Sequence, residues 1–200
     1  SSDVCSSDLD HCNSHSSFKD KVNMSNLCQE ITLPTKPIQH IDDPEGEIAL
    51  CILSAINVGT LKDVSELENL CDISVRALDE IIDYQDYPVK AAEVSTKARR
   101  SLGIGYIGLA HYLAKNGVKY SDPEAWTLVD RLSEAFQYYL LRASCDIAEE
   151  KGKCTGFERT KYADGLLPID HYKKDVDKIV PHKQRMAWES LDRKSTRLNS

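Results

Sequence analysis

Three residues in the first part of the chain carry side chains that could do chemistry together. Asn26, Cys28 and Glu30 place an amide, a thiol and a carboxylate two positions apart. In an extended backbone such side chains point to one face, whereas in a helix Cys28 would point away from the other two. Pro34 and Pro37 follow closely and favour an extended backbone. We therefore expect the three side chains to converge on one spot.

A fourth candidate, Cys51, lies in an apolar run over 47–56 that has the length of a β-strand. The run has a bulky face and a smaller one, formed respectively by Ile48, Leu50, Ile52 and Ile56 and by Ala49, Cys51, Leu53 and Ala55. Bulky side chains suit packing against helices, and a small face around a thiol leaves room for a ligand. Because both faces are apolar, we expect burial on both sides, as in a parallel sheet or an α/β barrel. A buried helical segment is the alternative.

Helices are predicted in the rest of the chain, over 62–86, 104–116 and 122–151. The first has one apolar stripe, formed by Val64, Leu67, Cys71, Val75, Leu78 and Ile82. The last has another, formed by Val129, Leu132, Phe136, Tyr139, Ala143 and Ile147. Pro123 in its first turn and Gly152 after its last residue are typical helix boundaries.

A glycine motif in the middle of the chain resembles a dinucleotide-binding loop. Gly103, Gly105 and Gly108 have the required spacing, but such loops follow an apolar strand, and residues 95–101 are mostly polar or basic. We interpret the glycines as helix-packing residues at the start of the helix over 104–116. The sequence therefore predicts no nucleotide binding at this loop.

Composition excludes several classes of protein. The net charge is −7, and no basic stripe interleaved with aromatic residues is present, so we expect no nucleic-acid partner. No apolar run approaches the roughly 20 residues of a membrane span, and no signal peptide is visible. We expect a cytoplasmic protein with no membrane partner, whose seven cysteines are thiols rather than disulfides. His11, Cys12 and His15 lack a second ligand cluster, so no metal site is predicted.

Six sequence blocks stand in order between two ends that look foreign to the rest, 1–9 and 193–200. The blocks are DHCN at 10–13, SNLCQEI at 25–31, LPTKP at 33–37, GEIALC at 46–51, DYQDYP at 83–88 and YYLL at 138–141. Together they resemble the large, catalytic subunit of class I ribonucleotide reductase of the bacterial and phage type. The resemblance runs from about Asp10 to Ile179. It implies that 10–192 is an α/β domain, helix-rich in its second half and part of a ten-stranded barrel, with a central finger loop at about 24–32.

The resemblance also implies roles for the candidate residues in the radical reduction of ribonucleoside diphosphates. Cys28 matches the cysteine that carries the thiyl radical, Glu30 the general base, and Asn26 the residue that orients the ribose hydroxyls. Cys51 matches one member of a redox-active cysteine pair, whose other member would lie upstream. Together with Leu53, the three loop residues match substrate-binding positions.

The partners that the resemblance implies lie outside this segment. A metal-containing small subunit supplies the radical, so the segment itself binds no cofactor, and thioredoxin or glutaredoxin supplies electrons. The full-length subunit forms a homodimer, and its ATP and deoxynucleotide effectors bind regions absent here. We expect these 200 residues to be inactive alone and partly aggregation-prone. Two alternatives stay open: a cobalamin-dependent ribonucleotide reductase, and a non-enzymatic helical interaction module with buried thiols.

Overall fold

The computed structural model describes residues 9–10, 12–171, 184–192 and 196. His11, most of the two ends and the end of the resemblance at Ile179 lie outside these residues. In chain order the main elements are β1 (Ile52–Asn57), α1 (Leu67–Tyr84), α2 (Lys90–Arg99), β2 (Leu102–Ile107), α3 (Leu109–Lys115) and α4 (Pro123–Lys151). None of the described helices combines the length and apolar character that crossing a membrane requires.

The two long helices form because each has one apolar stripe, as the sequence predicts. In α1 the residues of the stripe from Leu67 to Ile82 are buried, and in α4 the buried residues include Leu132, Phe136 and Ile147. The two helices pack against each other. Helix α4 begins at Pro123, whose fixed φ suits the first turn. The predicted boundaries 62–86 and 122–151 therefore differ from the observed ones mainly at the start of α1.

The two strands pair in parallel, with Leu53 opposite Gly103 and Ala55 opposite Gly105. Their bulky side chains pack towards the helices, which confirms the prediction for that face: Ile52, Ile56, Leu102 and Ile104. The smaller face is not covered by another layer of the described residues, and Leu53 is 58% exposed. The described residues therefore do not show the expected burial on both sides. The strand predicted over 47–56 is also shorter than expected, because β1 begins only at Ile52.

The helix predicted over 104–116 is wrong in its first part. Residues Leu102–Ile107 form β2, and α3 begins only at Leu109. Leu102, Ile104 and Tyr106 alternate with smaller residues, a period of two that suits a strand paired to β1. Gly103 and Gly105 therefore lie within a strand and not in a helix, so their interpretation as helix-packing residues is wrong. The reason given for rejecting the dinucleotide motif is confirmed, because residues 90–99 before the glycines form α2 and not a strand. Helix α2 was not predicted.

The succession of β1, two helices and a parallel β2 is an α/β arrangement. The described residues contain this one two-stranded sheet, so the ten-stranded barrel stays a prediction. The segment 184–192 is attached to α4 through the buried carboxylate of Glu134. That carboxylate accepts hydrogen bonds from the backbone of Arg185 and Met186 and from the indole of Trp188.

Candidate functional site

A cavity of about 340 Å³ lies beside the start of both strands. Its lining residues include Phe18, Glu30, Cys51, Ser101 and Gly103. It brings together the end of the predicted finger loop, which includes Glu30, and the predicted redox cysteine Cys51, 21 positions further along the sequence. Glu30 and Cys51 are the two predicted site residues that meet here.

The thiol of Cys51 is partly buried at the wall of this cavity. Burial raises the pKa of Cys51 to about 11, and the negative charge of Glu30 contributes in the same direction. The contribution of Glu30 places its carboxylate within electrostatic reach of the sulfur. At neutral pH Cys51 is therefore a protonated thiol, a form that can give up a hydrogen atom or a proton.

The chain entering β1 is fixed by the buried carboxylate of Glu47. Arg99, at the end of α2, donates to it through Nε at 2.9 Å and Nη2 at 2.5 Å. Lys36 Nζ lies 2.8 Å and Arg159 Nη1 3.0 Å from the other oxygen. Burial acts to raise the pKa of Glu47, but these hydrogen bonds outweigh it and lower the pKa to about 2. Glu47 is therefore charged, and it anchors the backbone four residues before Cys51.

The backbone that enters β2 is held in place by Arg100, the residue that follows Arg99. It has a left-handed backbone (φ 49°) that ends α2, and its guanidinium lies 2.6 Å from Asp79 and 2.9 Å from Asp83, both in α1. Directly after it, the carbonyl of Ser101 accepts a hydrogen bond from the backbone of Ile52 at 3.2 Å. The two consecutive arginines thus set both strand starts, and with them the positions of Cys51 and its neighbours on β2.

The predicted loop over 24–32 contains a turn instead of an extended run. The backbone N–H of Gln29 donates to the carbonyl of Asn26 at 3.1 Å, and Gln29 has a positive φ of 64°. The side-chain oxygen of Asn26 accepts from the backbone of Ile31 at 3.0 Å. Asparagine favours such turns because its side chain bonds to the following backbone, and this local preference outweighs the effect of the later prolines. The expectation of an extended segment is wrong.

The turn separates the loop residues. Glu30 lines the cavity that contains Cys51, whereas Asn26 lines a neighbouring cavity of about 250 Å³. Cys28 is exposed and is not among the lining residues of either cavity, and Leu53 lies on the uncovered face of β1. The interaction-module alternative predicts such a separation, so the loop geometry alone does not favour an enzyme.

The part of the chain that is described contains neither a metal-ligand cluster nor a disulfide bond. No group of three or more His, Cys, Asp or Glu side chains there is arranged to hold a metal, and His11 falls outside it. Six cysteines are free thiols: Cys12, Cys28, Cys51, Cys71, Cys145 and Cys154.

Several residues of the cavity wall are not predicted from the sequence, among them Ser101 and Gly103. Ser101 is 2% exposed, and its hydroxyl has no hydrogen-bond partner among the described residues. Gly103 lies opposite Leu53, and a Cβ placed on it would be 2.6 Å from Leu53 Cδ2 and 3.1 Å from Cys51 Sγ. The glycine motif was a signal for Gly103, but it was interpreted as helix packing. Nothing in the sequence around Ser101 distinguishes it from a surface serine.

Comparison with known proteins assigns this α/β segment to a family. The family described as "Ribonucleotide reductase, barrel domain" matches residues 7–197. Proteins named ribonucleoside-diphosphate reductase subunit alpha are similar in Haemophilus influenzae (57% identical, 92% of this chain and 25% of that protein) and in Buchnera aphidicola from Schizaphis graminum (55%, 93% and 25%). Ribonucleoside-diphosphate reductase 1 subunit alpha of Escherichia coli is 52% identical over 92% of this chain and 24% of its own length. The chain thus spans about a quarter of these relatives. With the family match covering nearly all of its residues, the chain belongs to the ribonucleotide reductase barrel-domain family.

Proposed function

We propose that this chain is part of the catalytic subunit of a ribonucleoside-diphosphate reductase, and that it carries the radical cysteine and one redox cysteine. The reaction converts a ribonucleoside diphosphate into its 2′-deoxy form. The support is the family match, together with relatives that bear this enzyme's name at 52–57% identity. The observation that carries the site is the shared cavity of Glu30 and Cys51.

The proposed chemistry begins with hydrogen abstraction. A thiyl radical on Cys28 takes the ribose 3′ hydrogen, while Glu30 accepts the proton of the 3′ hydroxyl and Asn26 orients the ribose hydroxyls. The 2′ hydroxyl leaves as water. Cys51 and a second cysteine outside this chain supply two electrons and two protons and become a disulfide. Cys28 returns its hydrogen to the 3′ carbon, so that ribonucleoside diphosphate and two thiols give deoxyribonucleoside diphosphate, a disulfide and water.

The high pKa of Cys51 suits its part in this scheme. Because the group is a thiol at neutral pH, it holds the hydrogen that the reduction consumes. The charge of Glu30, which contributes to that high pKa, is also what a general base needs. One carboxylate therefore adds to the effect of burial on the pKa of the redox cysteine, and it is also placed to accept the proton of the substrate.

The backbone turn at Asn26 and Gln29 must change its conformation for this chemistry. Cys28 is two positions from Glu30, and two residues of extended chain span at most about 7 Å. A rearrangement confined to the turn at Asn26 and Gln29 is therefore enough to bring the thiol to the cavity that Glu30 already lines. We propose that bound substrate favours this rearrangement.

Other components of the reaction lie outside this chain. We propose a radical-donating small subunit that holds a metal, thioredoxin or glutaredoxin as reductant, and a homodimer of the full-length subunit in the cytoplasm. ATP and deoxynucleotide effectors would bind elsewhere in that subunit. This chain's own part is to position the substrate and the two cysteines.

The test is nucleoside diphosphate reduction by a full-length chain carrying this segment, assayed with the small subunit and a dithiol. We expect Cys28→Ser to abolish product formation, since serine forms no comparable radical, without changing the unfolding temperature. Cys71→Ala, at a core thiol remote from the cavity, is the control and should keep most of the activity. Substantial product from Cys28→Ser would contradict the assignment, and activity that needs cobalamin instead of the small subunit would identify the alternative class.

A further inference from the structure

Gly103 stands closer to the thiol of Cys51 than a side chain would allow. A Cβ at this position would lie 3.1 Å from Cys51 Sγ and 2.6 Å from Leu53 Cδ2. Favourable contacts between non-bonded heavy atoms lie at about 3.5–4.0 Å, so the sulfur would have to move. Leu53 is largely exposed and can turn away, but Cys51 is partly buried against the cavity.

We infer that Gly103 is a positioning residue for Cys51, and that its missing side chain leaves the space in which the sulfur turns between its thiol and disulfide forms. This inference rests on the proposed function, in which Cys51 is one half of a redox pair. In that step each of two S–H bonds breaks, two electrons and two protons pass to the substrate whose 2′ oxygen leaves as water, and one S–S bond forms.

Disulfide geometry explains why free space matters here. The bond requires the two sulfurs to be about 2.05 Å apart with a Cβ–S–S–Cβ dihedral near 90°, so each cysteine must be able to adopt a particular rotamer. A methyl group on residue 103 would restrict the rotamers of Cys51 from the β2 side. The thiol and disulfide forms would not be affected equally, and their equilibrium would therefore shift.

The same strand offers a matched control in Gly105. It lies two residues further on, points to the same face and pairs with Ala55, yet a Cβ placed on it would meet no atom within 4 Å. Gly103→Ala and Gly105→Ala therefore make the same chemical change in the same strand. They differ in whether the new methyl group reaches Cys51.

The experiment uses the full-length protein and measures the thiol–disulfide equilibrium of Cys51 in redox buffers, by differential alkylation and mass spectrometry. We expect Gly103→Ala to change the equilibrium constant at least tenfold, which corresponds to about 30 mV. The rate of product formation in a single turnover of pre-reduced enzyme, without added dithiol, should fall at least tenfold. Gly105→Ala should stay within twofold of the wild type in both measurements.

A double variant, Gly103→Ala with Leu53→Ala, removes the shorter clash and keeps the contact with Cys51. A redox equilibrium that remains shifted in it supports the inference, and this variant also serves if Gly103→Ala alone fails to fold. A return to the wild-type equilibrium would assign the effect to Leu53 and overturn the inference. Equal behaviour of the two single glycine variants would overturn it as well.

A separate outcome distinguishes failure of the proposed function. If wild-type Cys51 is not oxidised during turnover, its redox role is wrong, and the inference is overturned with it. If wild-type Cys51 is oxidised while Gly103→Ala oxidises to the same extent, only the inference fails.

Discussion

The two candidate cysteines occupy regions that are built in opposite ways. Cys51 stands beside a pair of strands whose starts are held by buried ion pairs that involve α1 and the end of α2, whereas Cys28 stands exposed in a turn held by contacts within its own loop. The cysteine proposed to exchange electrons is thus part of a rigid framework. The cysteine proposed to carry the radical is on a segment that can rearrange. The fold of this chain therefore fixes the position of Cys51, whereas bound substrate must bring Cys28 into place.

The largest loss of stability should follow Arg99→Ala, in the framework around Cys51. This side chain is buried, and its loss removes partners from both Glu47 and Asp20. Breaking a buried ion pair on one side costs about 3–5 kcal/mol, because a charge is left in a poorly solvated place. We expect a loss of that size in the free energy of unfolding, measured by denaturant titration.

Arg142→Ala is the control for Arg99→Ala. Arg142 pairs with Glu68, and about half of each side chain is exposed, so its loss should cost less than about 1 kcal/mol. Equal losses in the two variants would show that the buried arginine is not the clamp that its contacts indicate.

A somewhat smaller effect should appear in the pH dependence of stability. The pKa of Glu47 is about 2 in the folded chain and 4.5 in an unperturbed glutamate. Because the folded pKa is the lower one, the stabilisation is complete above about pH 4.5 and is lost as the pH falls to about 2. The difference corresponds to about 3 kcal/mol. Glu47→Gln should remove this part of the acid sensitivity, and an unchanged pH profile in that variant would contradict the prediction.

The difference between framework and loop also explains what the sequence could predict. The stripes of α1 and α4 are local patterns, and both helices form where they predict them. Strand β2 depends on pairing with β1, about 50 residues earlier, and no local signal identifies that partner. The first part of the helix predicted over 104–116 is wrong for that reason, whereas its second part forms as α3.

The candidate site shows the same limit. The residue types at Glu30 and Cys51 could be chosen from the sequence, but their shared cavity follows only from the fold. The prediction of an extended loop is wrong because the turn preference of Asn26 outweighs the effect of the two prolines further along the chain. Ser101 became visible only when the structure showed that its hydroxyl is buried.

The two cysteines should also differ in their rate of reaction with an alkylating reagent, by about 100-fold or about 2.7 kcal/mol. With a pKa of about 11, only about one Cys51 thiol in a thousand is ionised at pH 8, and the thiolate is the reactive form. Cys28 is exposed. We expect iodoacetamide to modify Cys28 at least about 100-fold faster than Cys51, as followed by peptide mass spectrometry.

A rise in pH provides the internal control for this alkylation experiment. Between pH 8 and pH 10 the ionised fraction of Cys51 should rise about 100-fold, and its alkylation rate should rise with it. A rate that does not change with pH would mean that access to the cavity, and not the pKa, limits the reaction. Equal alkylation rates for the two cysteines at pH 8 would show that the two regions do not differ in thiol reactivity.

The smallest effect on stability should come from the loop, with Asn26→Ala. This variant loses the partly buried hydrogen bond that Asn26 accepts from the backbone of Ile31 and a longer one, 3.4 Å, from Ser25 Oγ, which together contribute about 1 kcal/mol. Asn26→Asp keeps an oxygen in the same place and should keep the stability, measured by denaturant titration. In the full-length enzyme we expect both variants to lose at least tenfold in turnover, because both lose the amide that is proposed to orient the ribose. A loss of more than about 2 kcal/mol in Asn26→Ala would instead make the loop part of the framework, since these local hydrogen bonds cannot account for it.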